Sequence, residues 1–365
     1  MHLERLWLTD FRSYASADVQ FAPGLTAVLG ANGRGKTNLL EALGYLATLK
    51  SFRGVPTEAL VRAGTERAIV RAEGTRDRRN LLLEAELLPG GRGRMQLNKQ
   101  RVPRARDLLG AMRVSVFSPD DLVLVKGGPG ERRTWIDDAL VAVHVRNDAI
   151  QADVDRILRQ RNALLKRAGG RLNNEAELTL DVFDAKFATA GEALVTARLA
   201  LLDLLRPHVQ EAYAHVAQRA APVDATYMAP WHHTGLAEAL AAGRADDLRR
   251  GVSLVGPHRD EVALRLNGLP SRTHASQGEQ RSLSLALRLA AHRVVTASVE
   301  EPPVLLLDDV FSELDPERSA ALLSALPTGQ AILTTAGVLP AGAEPELVVH
   351  IDEDGIGGPS VVRSS

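Results

Sequence analysis

The chain has 365 residues, 45% of them hydrophobic and 24% charged, with a formal net charge of −1 and no cysteine. That length allows two or three domains around a substantial core. The missing cysteine excludes disulfides, thiolate metal sites and cysteine nucleophiles. The opening MHLERLWLTDFR has scattered charges and no apolar core, so no signal peptide is read. No run approaches the roughly 18 uncharged apolar residues of a membrane span. The expectation is a soluble, cytoplasmic protein with no membrane partner. The near-neutral total hides two blocks of opposite sign. Between Lys50 and Arg113 there are fifteen Lys/Arg against seven Asp/Glu; between Val299 and Asp354 there are twelve acids against the single Arg318. Such separation suits one face for a polyanion and another that repels it, although a solvated charged surface would look the same.

In chain order, LERLWLTDFRSY reads as a strand, and Leu25–Leu29 as a buried strand that stops at Gly30. Leu39, Leu40, Leu43 and Leu46 then follow helical spacing from Asn38 to Leu49. Residues 66 to 104 read as strands punctuated by turns such as Pro89-Gly90-Gly91. The centre changes character. Ile136, Leu140, Val143, Ile150, Val154, Ile157 and Leu164 fall on one four-three frame, with Asn147 and Arg161 at the skipped positions. That predicts a single helix roughly 40 Å long at ~1.5 Å per residue. Gly169-Gly170 and Asn173-Asn174 break it, and a second frame runs through Phe183, Phe187, Ala190, Leu194, Ala197, Leu201 and Leu204. The expectation is an antiparallel pair forming a projecting arm, with a compact helical subdomain as the alternative. After Pro222 the pattern weakens, with strand-like segments again near Gly251. Then come a strand at Val304–Leu307, a helix at Pro316–Leu326, a strand at Ala331–Thr335, and a frayed tail over Asp352–Ser365. The fold class expected is α/β, one head domain split by a helical insertion. The boundaries are 1–130 for the first part of the head, with its basic lobe at about 50–113, then 131–246 for the arm and 247–365 for the rest.

The strongest chemical signal is Gly30-Ala31-Asn32-Gly33-Arg34-Gly35-Lys36-Thr37, which fits G-x-x-x-x-G-K-[ST] between a strand and a helix that opens at Asn38. Glycines let backbone N–H groups turn toward phosphate oxygens, and the helix N-terminus adds its positive end. Lys36 is expected between the β- and γ-phosphates of ATP, and the Thr37 hydroxyl on Mg²⁺. The strand Val304–Leu307 ends in Asp308-Asp309. Asp308 is expected beside Mg²⁺ and Asp309 as general base or water-orienting group, with Lys36, Asp308 and Asp309 as the catalytic set. In Phe311-Ser312-Glu313-Leu314-Asp315-Pro316-Glu317, Asp315 reads as the N-cap of the next helix, and a role at the nucleotide stays open. The stretch Ser276-Gln277-Gly278-Glu279-Gln280 reads as a capping box, Ser276 with Glu279. A glycine in its first turn is costly for a helix alone, by about 1 kcal/mol against alanine.

Together the P-loop, the S-x-G-x-Q helix start, the acid-ended strand and the S-E-L-D turn form the ABC-type ATPase set. In that set Ser276, Gly278 and Gln280 meet the γ-phosphate bound by a second subunit. The whole chain also resembles the RecF family of bacterial recombination-repair ATPases, relatives of the SMC family. The more distinctive matches are Leu8-Thr-Asp-Phe-Arg-Ser-Tyr14, Phe117-Ser-Pro-Asp-Asp-Leu122, Gly127-Gly-Pro-Gly-Glu-Arg-Arg133, Gly256-Pro-His-Arg-Asp260 and Leu305–Asp315. The resemblance implies an ATP-dependent homodimer that clamps double-stranded DNA and single-strand/double-strand junctions. It implies work with RecO and RecR to load RecA at gaps, and slow, DNA-stimulated ATP hydrolysis. It also implies that Arg12 approaches the nucleotide. The chain departs from the family pattern twice: Ser51-Phe52-Arg53 stands where Ser-His-Arg is frequent, and no SMC-type Q-loop glutamine stands near Phe117-Ser-Pro-Asp-Asp. The 240 positions from Lys36 to Ser276 leave room for the helical pair, unlike a transporter subunit, and a zinc hook would need cysteines. An ABC-type ATPase driving a transporter or nuclease partner, or a non-hydrolysing nucleotide sensor, remains the alternative. The basic lobe (Arg76, Arg78, Arg79, Arg92, Arg94, Lys99, Arg101, Arg104 and Arg106) lacks interleaved aromatics, which suits backbone recognition of DNA rather than base stacking.

Overall fold

The computed structural model describes residues 1–91, 93–299, 301–353 and 360–364. Two compact units emerge: Met1–Asp121 with Ala214–Ala220 and Leu287–Ser365, and Leu122–Tyr213 with Ala221–Ala286. The expected division at 131 and 246 therefore differs from the one observed. The Ser276 region belongs to the second unit and the P-loop to the first.

The first unit opens with β1 (His2–Phe11), β2 (Tyr14–Gln20), β3 (Leu25–Leu29) and α1 (Lys36–Thr48). It continues through β4 (Ala68–Arg76), β5 (Arg79–Leu87), β6 (Arg94–Leu97), β7 (Gln100–Arg101) and β8 (Val114–Phe117). Strands β2-β1-β4-β5-β6-β7 form an antiparallel sheet. Its strands alternate buried and open positions, as one-sided sheets do. In β1 the buried set Leu3, Leu6, Leu8 slips by one because the register shifts between Leu3 and Arg5. Buried Gln330 stitches this irregularity: its Oε1 accepts the Leu3 N–H at 2.7 Å, and its Nε2 donates to the carbonyls of Leu3 and Ala22.

The second unit holds α2 (Val123–Lys126), α3 (Pro129–Val143), α4 (Arg146–Ala168) and α5 (Asn174–Val216). After β9 (Val223–Met228) come α6 (Leu236–Arg250), β10 (Glu261–Leu266), β11 (Leu269–Pro270), α7 (Ser271–His274) and the start of α8 (Gln277–Ser298). The single helix expected over 136–164 is two, because His144 leaves the helical region at φ −141°. Asn147 then donates to the Leu140 carbonyl at 2.8 Å, which also accepts the His144 N–H at 3.0 Å. The second frame drifts: Phe187, Leu194 and Leu201 are buried, yet Leu204 is 56% exposed. A straight helix loses about 20° per heptad against a strict seven-residue repeat. These helices share their unit with the three-stranded sheet β11-β10-β9. Arg161, at the skipped core position, is fully buried and bonds Asp184, Asp247 and Ser253 at 2.6, 2.6 and 2.7 Å, tying α4 to α5 and α6.

Returning to the first unit, β12 (Val304–Asp308), α9 (Pro316–Ala325), β13 (Ala331–Thr335), β14 (Leu347–Glu353) and β15 (Ser360–Ser364) complete the chain. The second sheet runs β15-β14-β3-β13-β12-β8, parallel except for β15. Its strands β12 and β13 are buried along their whole length, as strands covered on both faces are. Helix α1 contacts strands of both sheets, and every residue from Leu39 to Ala47 is buried. That is why this stretch of the helix is apolar on every side except at Glu41. The tail expected to fray pairs instead as β14 with β15, from Val349–Ser364 to Glu353–Ser360. The remainder of that expectation, residues 354–359 and 365, lies outside the described residues.

Candidate nucleotide site and basic lobe

Strand β3 delivers the chain into the glycine turn, and the turn's shape is dictated from both sides. A Cβ at Gly30 would come within 2.6 Å of the Ile351 carbonyl oxygen on β14, so only glycine fits there. Gly35, at φ 102°, is the left-handed residue from which α1 starts. The Tyr14 hydroxyl donates to its carbonyl at 3.1 Å. Lys36 Nζ donates to the carbonyls of Gly30 (2.7 Å) and Ala31 (3.1 Å), folding the ammonium back over the turn. Burial lowers the Lys36 pKa, and the charges of Asp309 and Asp308 oppose that shift.

Strand β13 lies between β3 and β12, so its C-terminal end separates the P-loop from the acids. There one oxygen gathers two hydroxyls: Thr37 and Thr334 each donate to Asp308 Oδ1 at 2.9 Å. Thr334 Oγ1 also accepts the Asp309 N–H at 3.0 Å. Burial raises the Asp308 pKa; the two hydroxyls lower it, and the charge of Asp309 adds to the rise. Asp309 sits in the left-handed region at φ 48°, tolerated better by aspartate than by most residues. Its Oδ1 is buried with no hydrogen-bond partner among the described residues. A hydroxyl and a carboxylate beside a lysine and backbone amides suit a hard cation that keeps water and phosphate ligands. No group of three His, Cys, Asp or Glu able to hold a metal alone occurs among the described residues.

Other expected residues are placed differently. Arg12 closes on buried Glu41 of α1 through Nε and Nη2, both at 2.7 Å, with Nη1 on the Ala59 carbonyl at 2.9 Å. Its guanidinium is thus held beside the helix that follows the P-loop. Ser51 also donates to Glu41, and Arg53 lies 3.9 Å from it, with a field that lowers the Asp308 pKa. Asn38 bonds Ser13 at 2.9 Å, while Ala31, Asn32 and Gly33 are exposed at the turn and Arg34 half-buried. Asp315 is the N-cap of α9, accepting Arg318 N–H at 2.8 Å, and Arg318 holds its carboxyl below the usual range.

In the second unit the capping box forms as read. Ser276 N–H donates to Glu279 Oε2 at 2.8 Å, and Ser276 Oγ accepts from the Glu279 N–H at 3.3 Å. Ser276 is exposed and Gly278 half-buried. Gln280 turns inward, donating to the carbonyls of Ser271 and Arg272 at 3.1 Å. It anchors the turn rather than facing outward. The two arginine-glycine motifs meet here: Arg132 grips Glu261 bidentately at 2.8 Å and Arg133 donates to the Asp260 carbonyl at 2.6 Å.

The basic lobe divides into engaged and free charges. Arg76 donates to the Gly110 and Ala111 carbonyls, Arg94 lies 3.8 Å from Glu86, Arg104 lies 3.4 Å from Asp107, and Arg106 is also engaged. Arg92 lies outside the described residues. Arg78, Arg79, Lys99 and Arg101 are exposed without an ion-pair partner among the described residues. The β4–β5 and β6–β7 turns fall at the same end of the sheet, because β5 runs antiparallel to both β4 and β6. Sequence reading missed Thr334 and Glu41. The strand Ala331–Thr335 was legible, but the partner of its hydroxyl lies 26 residues away.

A P-loop at the end of a central parallel strand, with an acid-ended strand two places along, defines the head of an ABC-type ATPase. The model of the RecF/RecN/SMC N-terminal domain matches residues 2–336. A DNA replication and repair protein RecF from Frankia alni is 46% identical over 93% of this chain and 94% of its own length. A solved structure of the recombination mediator protein RecF with ATP, in the RecFOR pathway, is 26% identical with a TM-score of 0.90, covering 100% of this chain and 97% of its own. The Smc head domain of Pyrococcus furiosus, at 18% identity and a TM-score of 0.58 over 100% of this chain and 96% of its own, shares the fold. The chain belongs to the RecF family.

Proposed function

We propose that this chain is an ATP-hydrolysing, ATP-dependent dimerising DNA-binding protein of replication and recombinational repair. The observation that carries the reading is the convergence of Lys36, Thr37, Asp308 and Asp309 at the end of one parallel sheet. In this reading the amides of 30–37 and the Lys36 ammonium hold the polyphosphate. Thr37 and Asp308 would hold Mg²⁺, which would supply positive charge against the polyphosphate. Asp309 orients the attacking water and takes its proton through the oxygen that has no other partner. Arg53, with its side chain 40% exposed, supplies further positive charge on the same side.

The Ser276–Gly278 turn of a second copy closes over the γ-phosphate, its first-turn N–H groups presented by the capping box. Arg78, Arg79, Lys99 and Arg101 contact duplex phosphates, each neutralised phosphate adding about 0.9 to the log–log salt slope. The relatives' names, DNA replication and repair and the RecFOR pathway, support RecR and RecO as partners; RecA as the protein loaded at single-strand gaps follows from the family resemblance alone. The test is steady-state hydrolysis across protein concentrations, with and without gapped duplex DNA, beside Ser276→Arg. Turnover per molecule should rise with concentration and with DNA, and the variant should bind ATP yet stay silent. A rate flat in both variables and untouched by the substitution would reduce the Ser276 turn to a capping box.

A further inference from the structure

Thr334 reaches the whole site from a strand that carries neither the P-loop nor the acids. It is fully buried at the end of β13, where its one hydroxyl faces two ways. As donor it bonds Asp308 Oδ1, the oxygen that Thr37 also bonds; as acceptor it takes the backbone N–H of Asp309. The second bond acts on a residue in the left-handed region, a conformation that costs of order 1 kcal/mol or more and persists only where surroundings enforce it. The Thr334 carbonyl also accepts the Asp309 N–H, at 3.2 Å. The geometry points to Thr334 as the positioning residue of the site: one side chain fixes the Asp308 carboxylate for Mg²⁺ and holds the backbone that aims Asp309.

This inference rests on the ATPase reading above and deepens it. Valine has nearly the shape of threonine and suits a buried strand, so Thr334→Val removes the hydroxyl and little else. The Lys36 and backbone contacts to phosphate stay in place. The expected signature is therefore a split. A fluorescent N-methylanthraniloyl ATP should bind the full-length variant as well as wild type in EDTA. The extra affinity gained on adding Mg²⁺ should fall about 10-fold or more, the range seen when groups that orient metal ligands are removed. The turnover number should drop by a similar factor or more, with KM in saturating Mg²⁺ little changed. Thr334→Ser, which keeps the hydroxyl, should restore most of both.

The wild-type Mg²⁺-dependent gain and turnover in Thr334→Val would overturn the proposal, and so would a serine variant as impaired as the valine one, since then the methyl packing matters. If valine prevents folding, read by urea denaturation, Thr334→Ala repeats the comparison with no added bulk. Wild-type protein that fails to bind the ATP analogue would instead remove the ATPase reading itself, an outcome visible before any variant is compared.

Discussion

The Arg161 cluster and the Lys36–Asp308–Asp309 cluster both place ionisable side chains below the surface, yet they are wired differently. Around Arg161 each charge meets an opposite one, although Arg161 Nη2 and Arg244 Nε are buried without a hydrogen bond among the described residues: Asp184 and Asp247 take the guanidinium, Arg244 takes the other oxygen of Asp184, and Ser253 donates to Asn162. Around Asp308 the partners are neutral hydroxyls, the lysine rests on carbonyls, and an oxygen of Asp309 is left over. A closed network of charges holds helices together. An open one, with charge compensated only in part, is arranged for something that arrives.

The largest effect expected is at the closed cluster. Arg161→Met leaves buried Asp247 without its opposite charge, while Asp184 keeps Arg244, and should cost about 3–5 kcal/mol of unfolding free energy in urea; a loss under about 1 kcal/mol would show that water already shares the network. Lys36→Ala should behave in the opposite way, lowering ATP hydrolysis about 10²–10³-fold while the urea midpoint barely moves. A large stability loss there would break the contrast. A third measurement uses His292, buried with Nδ1 2.8 Å from Ser115 Oγ and held down to about 4 by burial and by Arg293. From pH 6.5 to 4 the unfolded chain binds a proton that the folded one refuses, so stability falls as pH falls, by at most about 3 kcal/mol from this group. His292→Gln should flatten that part of the pH–stability profile. Smallest is Asn147→Ala, a neutral closed contact, at about 1 kcal/mol.

Local chemistry was legible wherever a residue's partner was close in sequence. The P-loop, the strand Ala331–Thr335, the Ser276 capping box and the Asp315 N-cap were all read from spacing or from dipeptide signals. Helix α6 was missed although Gly235 and Gly251 bracket it, because its stripe is thin: Leu236, Leu240 and Asp247 are its buried positions. Asp247 faces inward only because Arg161 waits there, 86 residues away. The same distance rule hid Glu41 behind Arg12, and Thr334 behind Asp308. The long seam failed for another reason: its four-three frame tolerates the break at His144, since Ile136 and Leu140 before it and Val154 and Ile157 after it are buried all the same.

Strand β3 carries the P-loop, yet both its neighbours, β13 and β14, lie some 300 residues downstream. During synthesis the turn at Gly30 emerges early and must wait for nearly the whole chain before a sheet exists to shape it. Domains whose key pairings are this distant fold late and expose apolar strands meanwhile. A nascent chain released before β13 would hold every residue of the glycine turn and none of its architecture. The capacity to hold a nucleotide is therefore reached only after β13 and β14 have been laid down.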